Sequence, residues 1–368
     1  MKIVILGPGN SIHVSRWCNA ISARGNEVHL ISEHEFDRSE YSGAVKFHML
    51  PFRGGKGYFL NRAALRALLG KIVPDLVNCH YASGYGTMIA KLWRGPMLLS
   101  VWGADVYEFP YQSRFKMWLI RRNLLSATHI ASTSHVMADQ VRRICPEIGD
   151  ISVTPFGIDP AIFVPAQGAR NAGQVVIGTV KTMAKKYGID ILIRGFSLLL
   201  ERLMAERSAL AVNIKLLLVG GGPDTAALQA LVAELGLGAS VEFVGQVAHA
   251  EVPRWLARLD IYVAVSRNES ESFGVAVLEA SSCGLPVVVS RVGGLPEVVA
   301  ENVTGLLIPN ESPQGLADAL HLLLDEPKRL ALGRAGREWV CEHFSWEYSV
   351  DLMLQAYAKT VQGAPETH

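Results

Sequence analysis

The sequence predicts an α/β protein made of two doubly wound parallel-sheet units. Three observations lead there. Short Val/Ile/Leu runs recur along the 368 residues, each followed by an amphipathic stretch. The runs are nearly continuous rather than alternating, as in parallel strands covered on both faces. The pattern also breaks near residue 170, after a Pro- and Gly-rich segment, and then restarts.

Taken in order, "KIVILG" predicts a strand, "SRWCNAISARG" a helix closed by Gly25, and "EVHLIS" the next strand. "DLVNCH", "MLLSVW" and "HIASTS" predict three more. "TPFGIDPAIFVPAQGARNAGQ" reads as an interdomain linker. Beyond it, "VVIGTV", "IKLLLVGGG", "SVEFVG", "DIYVAVS" and "PVVVS" predict strands with helices between them, and a last helix is expected near 345–361. The expected domains are Rossmann-like, 1–165 and 166–344. Two such sheets facing each other would set their strand ends around one cleft, the edge where open α/β sheets bind ligands.

Bulk properties narrow the classes. Hydrophobic residues make up 49% and charged residues 19%, which fits a well-packed globular protein of about two ordinary domains. Cys18, Cys79, Cys145, Cys283 and Cys341 are scattered and form no CxxC pair. That argues against a disulfide framework or a zinc site and fits a reducing cytosol. The opening "MKIVILGPGN" is short for a leader's apolar core, and no run approaches the ~18 apolar residues of a membrane span. The expectation is a cytoplasmic protein, soluble or peripheral at the inner face of a membrane. Residues 1–165 hold 18 Lys and Arg against 12 Asp and Glu, whereas the rest hold 17 against 22. The N-terminal half is therefore expected to meet something anionic. Nucleic acid is set aside, because no basic run with interleaved aromatics resembles a known module.

Three constellations carry chemistry. "GPGNSIH" follows the first strand. Gly7 and Gly9 would let backbone approach a ligand, and the helix start would offer N–H groups to an anion. A dinucleotide fingerprint would want glycine where Ile12 stands, so NAD is disfavoured. Second, Lys181, Lys185 and Lys186 in "VKTMAKKYGID" follow the first strand of the second unit, where a phosphate could sit. Third, "NESESFGVAVLE" places Glu271 and Glu279 in an apolar context with no basic residue nearby. Ionised carboxylates are rarely buried unpaired. A helix beginning near Phe273 would aim the amides of Ser272, Phe273, Gly274 and Val275 at a diphosphate. Eight helical residues turn by about 80° and rise by about 12 Å. Glu271 and Glu279 could thus reach different parts of one elongated ligand, such as a nucleoside diphosphate sugar.

These motifs resemble a family. From "LLLVGGGP" through "VEFVGQV", "ESFGVAVLEASSCGLPVVVSRVGGLPEVV" and "GLLIP", the chain is similar to the retaining glycosyltransferases of family four, which have the GT-B fold. "SIHVSRWCNAISARGNEVHLIS", "DLVNCHYA", "SVWGADV" and the linker "VTPFGIDPAIFVP" extend the resemblance over nearly the whole chain. It implies that the second domain binds the nucleotide sugar and the first the acceptor, and that residues 345–368 pack back onto the first domain. It implies that Glu279 holds the ribose, that Glu271 contacts the donor sugar, that backbone near Val247 meets the base, and that two cations grip the diphosphate. Here those are Lys181, where the family has arginine, and Lys186 or Lys185. Many relatives carry His-Gly where this chain has Trp102-Gly103-Ala104-Asp105. His13, His80 and Asp105 are the sugar-side or acceptor-side candidates in its place, with histidines hydrogen-bonded inside the fold as the equal alternative.

The implied reaction is sugar transfer from a nucleoside diphosphate donor, with UDP favoured over GDP, and with retention. The leaving phosphate would deprotonate the acceptor, domain closure would exclude water, and no dedicated nucleophile is expected. No DxD-like pair or His/Glu ligand cluster is visible, so neither a metal nor another cofactor is expected. In residues 111–125, Arg114, Lys116, Arg121 and Arg122 mix with Phe115, Trp118 and Leu119. This stretch either lies on an anionic membrane, which suits a lipid-linked or envelope-glycan acceptor, or covers the sheet through Met117, Ile120 and Leu124. Two rival functions share the architecture: a nucleotide-sugar 2-epimerase and a non-catalytic donor-binding subunit.

Overall fold

The computed structural model describes residues 1–166 and 173–364, so part of the expected linker lies outside the described residues. The chain divides into two compact units, Met1–Phe156 with the C-terminal segment from Glu347, and Gly157–Trp346. The division falls nine residues before the expected one. The reason is local, because the start of the linker is anchored rather than solvated. Ile158 and Phe163 are buried. The Phe163 carbonyl accepts from Ser282 Oγ at 2.7 Å and from Arg337 Nη1 at 3.0 Å, which ties this stretch to the second unit.

The first unit is a seven-stranded sheet of β1 (Lys2–Leu6), β2 (Glu27–Ser32), β3 (Lys46–Met49), β4 (Leu76–His80), β5 (Met97–Val101), β6 (His129–Ser132) and β7 (Ile151–Val153). Its order is β3-β2-β1-β4-β5-β6-β7, and every pairing is parallel. β3 and β7 escaped the sequence reading. Both are edge strands and partly exposed, so neither carries the continuous apolar run of a doubly covered strand.

The helix Trp346–Gln362 belongs to this unit. Its buried residues Ser349, Val350, Met353, Ala356, Tyr357 and Thr360 recur every three or four positions, so one stripe faces the unit. Fully buried Tyr357 anchors it, its hydroxyl accepting from Asn78 Nδ2 at 3.1 Å. Asn78 lies within β4, and its Oδ1 accepts from Ser100 Oγ on β5. A polar residue inside a doubly covered strand is thereby satisfied.

The second unit has six strands: β8 (Val175–Val180), β9 (Ile214–Val219), β10 (Val241–Gly245), β11 (Ile261–Ala264), β12 (Val287–Ser290) and β13 (Gly305–Ile308). They run in the order β10-β9-β8-β11-β12-β13, again all parallel. Both sheets therefore reverse their winding beside the first strand of the unit, between β1 and β4 and between β8 and β11. Loops leaving neighbouring strands toward opposite faces open a crevice there, the usual ligand position of a doubly wound sheet.

Tyr357→Ala should lower stability by about 3–5 kcal/mol through the cavity it leaves. Tyr357→Phe should cost about 1–3 kcal/mol, since it strips a buried donor of its oxygen partner. Urea-unfolding midpoints of the two variants check the difference.

Candidate functional site

Both switch points gather the residues singled out above. In the second unit, Lys181 directly follows β8, and Glu271 lies in the loop after β11. The Lys181 ammonium sits 3.0 Å from Glu271 Oε2 and 3.1 Å from Oε1. Ser266 Oγ also donates to Oε2, at 3.2 Å. With side chains only 19% and 12% exposed, the two charges need each other. Burial pulls the Lys181 ammonium down, but the Glu271 carboxylate, together with Tyr262 and Tyr187, more than offsets this and holds it above its ordinary value.

Tyr187 orders the other lysines. Lys181 Nζ lies 4.6 Å and Lys186 Nζ 5.0 Å from its ring centre, so one ring face system gathers two cations. A cavity of about 80 Å³ is lined by Lys186, Tyr187, Asn268, Ser270 and Glu271. The Ser270 hydroxyl is buried with no hydrogen-bond partner. Lys185 does not line this cavity and is exposed. Lys186, which is exposed as well, lines it instead.

Arg267 and Asp190, which the sequence reading missed, hold the loops in place. Arg267 follows β11 and grips Asp190 through two bonds of 2.6 Å. It also donates to the Lys185 carbonyl at 3.0 Å and pairs with Glu311 at 2.8 Å. Burial pushes the Asp190 carboxyl up, but Arg267 outweighs it and leaves the group below its usual range. The signal was faint: a cation shortly after β11 and a carboxylate in the first turn of the helix Ile189–Ala205 that follows β8, which become neighbours only once the strand order is known.

The helix behind Glu271 begins at Val275, two residues later than expected, and runs to Ser282. Gly274 caps it at φ +99°, which a side chain rarely tolerates, so helical geometry cannot extend back to Phe273. The first intrahelical bonds run from Val277 and Leu278 to the Gly274 carbonyl. The Val275 and Ala276 amides thus find no acceptor within the helix. Only Glu279 of the two glutamates is helical, five residues in, so the eight-residue rotation expected between them does not apply. Phe273 is buried, its ring 5.8 Å from that of Phe344, and it serves packing rather than ligand contact through its side chain. Ser272 is buried too. A Cβ on Gly294 would lie 2.2 Å from the Ser272 carbonyl, and the Gly294 amide donates to Glu271 O at 2.9 Å. This close approach explains the "VGG" motif: it clamps the glutamate loop.

Glu279 is buried, and its Oε1 lies 3.0 Å from Nε2 of His249, another residue the sequence reading passed over. Val247 is half-buried between β10 and that histidine.

The first unit corrects several expectations. The Gly9 amide donates to Ser32 Oγ at 3.0 Å, and Phe36 fills the space beside its Cα, so that N–H is committed inside the fold. Asp105 is 2% exposed, and its two oxygens accept from the amides of Ala82, Trp102 and Gly103 at 2.8–3.1 Å. It ties the loops after β4 and β5 together and is almost wholly withdrawn from solvent. Trp102 packs among His13, His80, Tyr81 and Phe156, with centroid separations of 4.8–5.7 Å. His13 stacks on Phe156 at 4.1 Å. His80 is wholly buried, and neither ring nitrogen has a hydrogen-bond partner, contrary to the hydrogen-bonded alternative. Burial, with the His13 charge, pulls it down to about 3.

The helix Arg114–Leu124 splits the expected membrane face. Leu119, expected outside, is buried with Ile120 and Leu124, while Phe115 and Trp118 are exposed and stack at 5.9 Å.

Comparison with known proteins matches both units. Residues 163–339 match the model of "Glycosyl transferases group 1" and residues 2–134 that of "Glycosyl transferase 4-like". The D-inositol 3-phosphate glycosyltransferase of Nocardiopsis dassonvillei is 32% identical over 77% of this chain and 70% of its own. The match to the Stackebrandtia nassauensis enzyme of the same name spans only 54% of that enzyme. Among solved structures, sucrose-phosphate synthase from Thermosynechococcus elongatus superposes with a TM-score of 0.82 at 23% identity, covering 98% of each chain. Anabaena HepE in complex with UDP gives 0.80 at 17% identity, covering 97% of this chain and all of the other. The chain belongs to the family-four, group 1 glycosyltransferases and has the GT-B fold.

His80 should make the fold acid-sensitive. Its folded value lies below the ~6.5 of an unfolded histidine, so the unfolded state binds a proton first. The stability from keeping it neutral is complete above about pH 6.5 and is lost as pH falls toward about 3. Between those limits the wild type should lose up to ~1.4 kcal/mol per pH unit more than His80→Gln. Urea unfolding at pH 7, 5.5 and 4.5 checks the slope.

Proposed function

We propose that this glycosyltransferase moves a sugar from a UDP-sugar to a lipid-linked or envelope-glycan acceptor, with retention at the anomeric carbon. The observation that carries the reading is the Lys181–Glu271 pair at the β8/β11 switch point, beside Lys186 and the start of the helix Val275–Ser282.

Breaking the sugar–phosphate bond separates an oxocarbenium-like ring from a diphosphate. Lys181, Lys186 and the Val275 and Ala276 amides stand ready to hold that negative charge, so little reorganisation is needed during reaction. Glu271, placed by Lys181 and Ser266, takes donor-sugar hydroxyls. Glu279 takes the ribose diol. The departing phosphate accepts the acceptor's proton on the face it leaves, which gives retention without a protein nucleophile. In this reading the lysines supply the positive charge that a metal supplies elsewhere, and no cofactor is required. UDP as the nucleotide is supported by the HepE complex with UDP. GDP is the second choice, supported by the GDP-mannose-dependent mannosyltransferase of Mycobacterium tuberculosis, 38% identical over 138 residues.

The acceptor reading places the enzyme peripherally on an anionic membrane surface. Among the described residues no helix is long and apolar enough to cross a membrane. Phe115 and Trp118 are exposed, and Arg122 lies 5.4 Å over the Trp118 ring. Aromatic rings beside cations suit an anionic interface.

Calorimetry with UDP, GDP and ADP tests the donor site. UDP should bind, and Lys181→Ala and Glu279→Ala should each weaken it about tenfold or more. Unchanged affinity in both variants would sink the assignment. Activity should survive a chelating agent. Vesicles containing anionic lipid should retain the wild type, and retention should fall for Phe115→Ser/Trp118→Ser; equal retention would remove the membrane reading.

A further inference from the structure

The buried carboxylate of Glu279 is joined to the loop after β10 by one side chain. His249 opens a short turn, His249–Glu251, just beyond that strand. Its own side chain is 50% exposed, but its Nε2 reaches Glu279 Oε1, on a side chain only 8% exposed. The turn is fixed independently. The Glu251 carboxylate accepts the Ala248 amide at 3.2 Å, and the Phe163 ring meets the imidazole edge-on at 6.1 Å. The histidine is therefore delivered to the glutamate by a built loop.

On Glu279 the arrangement is one-sided. Among the described residues the hydrogen bond seen on this carboxylate is the one from His249 to Oε1. A carboxylate has about four lone-pair positions and can rotate about its last bond. One donor on Oε1 sets the plane of the group while leaving Oε2 and a second lone pair of Oε1 able to accept. Two hydroxyls on adjacent carbons present two donors side by side, which matches what is left.

We propose that His249 is a positioning residue of the donor site, its Nε2–H fixing the Glu279 carboxylate in the orientation that accepts both ribose hydroxyls of a nucleoside diphosphate sugar. The proposal rests on the reading of Glu279 as the ribose carboxylate. It adds that the loop after β10 and the helix Val275–Ser282 act on the nucleoside together. Without the histidine, the carboxylate must be ordered anew at each binding event, so affinity for the nucleotide falls although no ligand contact has been removed.

The test is a binding cycle on the full chain, with UDP as the probe and GDP in parallel. His249→Ala should raise the Kd about tenfold. His249→Gln, whose terminal amide N–H can reach the same oxygen, should recover most of that loss. In a Glu279→Ala background, His249→Ala should add nothing. A loosened loop alone would not give the glutamine rescue together with complete coupling to Glu279. If His249→Ala leaves Kd unchanged while Glu279→Ala weakens binding, the positioning role is wrong and the ribose reading stands. Effects that add independently would also overturn it, since His249 would then act without Glu279. If Glu279→Ala itself leaves UDP and GDP affinity unchanged, the ribose reading fails, and the positioning role fails with it. Should His249→Ala fold poorly, as judged by its melting curve, the coupling of His249→Gln and His249→Asn to Glu279→Ala decides the same question.

Discussion

A lysine and a glutamate, each largely withdrawn from water, share the crevice between β8 and β11. Either charge alone would carry a desolvation penalty of several kcal/mol, whereas together and hydrogen-bonded they can coexist. Much of the second unit's upper edge is arranged around that pair. Tyr187 lies over the lysine, and Ser266 donates to the carboxylate. The Gly293–Gly294 segment packs against the backbone that carries Glu271, closer than any Cβ would allow. Arg267 reaches across from the β11 loop to fix Asp190 and the Lys185 carbonyl. The pair thus sits in a frame whose parts are neutralised and hydrogen-bonded before any ligand arrives. That kind of preorganisation suits stabilisation of a developing charge.

The first unit solves a different problem with the same topology. Its switch point lies between β1 and β4, yet the groups there mostly satisfy each other. Asp105 uses both oxygens on backbone amides, and Gly9 gives its amide to Ser32. Trp102 is surrounded by four aromatic rings, His80 among them. The large indole turns that corner into a packed cluster. It also leaves His80 with no donor or acceptor to meet, which is why the imidazole is held neutral. The helix Trp346–Gln362 closes this unit through Tyr357, so the chain's last helix supports the domain that its first strand begins.

The sequence by itself determined the architecture and named several of the residues gathered at the second unit's switch point. Continuous apolar strands, glycines at strand ends and an E-x7-E stretch are local properties, and each has a local physical cause. Central strands were legible because both of their faces are buried. The edge strands β3 and β7 were not, because a partly exposed strand need not be apolar, and the short edge strand β13 was also passed over although it is apolar. Lys181 and Glu271 could be named separately, but their pairing depends on β8 lying next to β11, ninety residues apart in sequence. The same holds for Arg267 with Asp190 and for His249 with Glu279. Tertiary structure alone decided which polar groups are already satisfied and which remain able to bind. Asp105 and the Gly9 amide looked available in sequence and are engaged within the fold, while the buried Ser270 hydroxyl is left unmatched. Hydrogen-bond satisfaction is a property of groups brought together from distant positions, so no single stretch of sequence can display it.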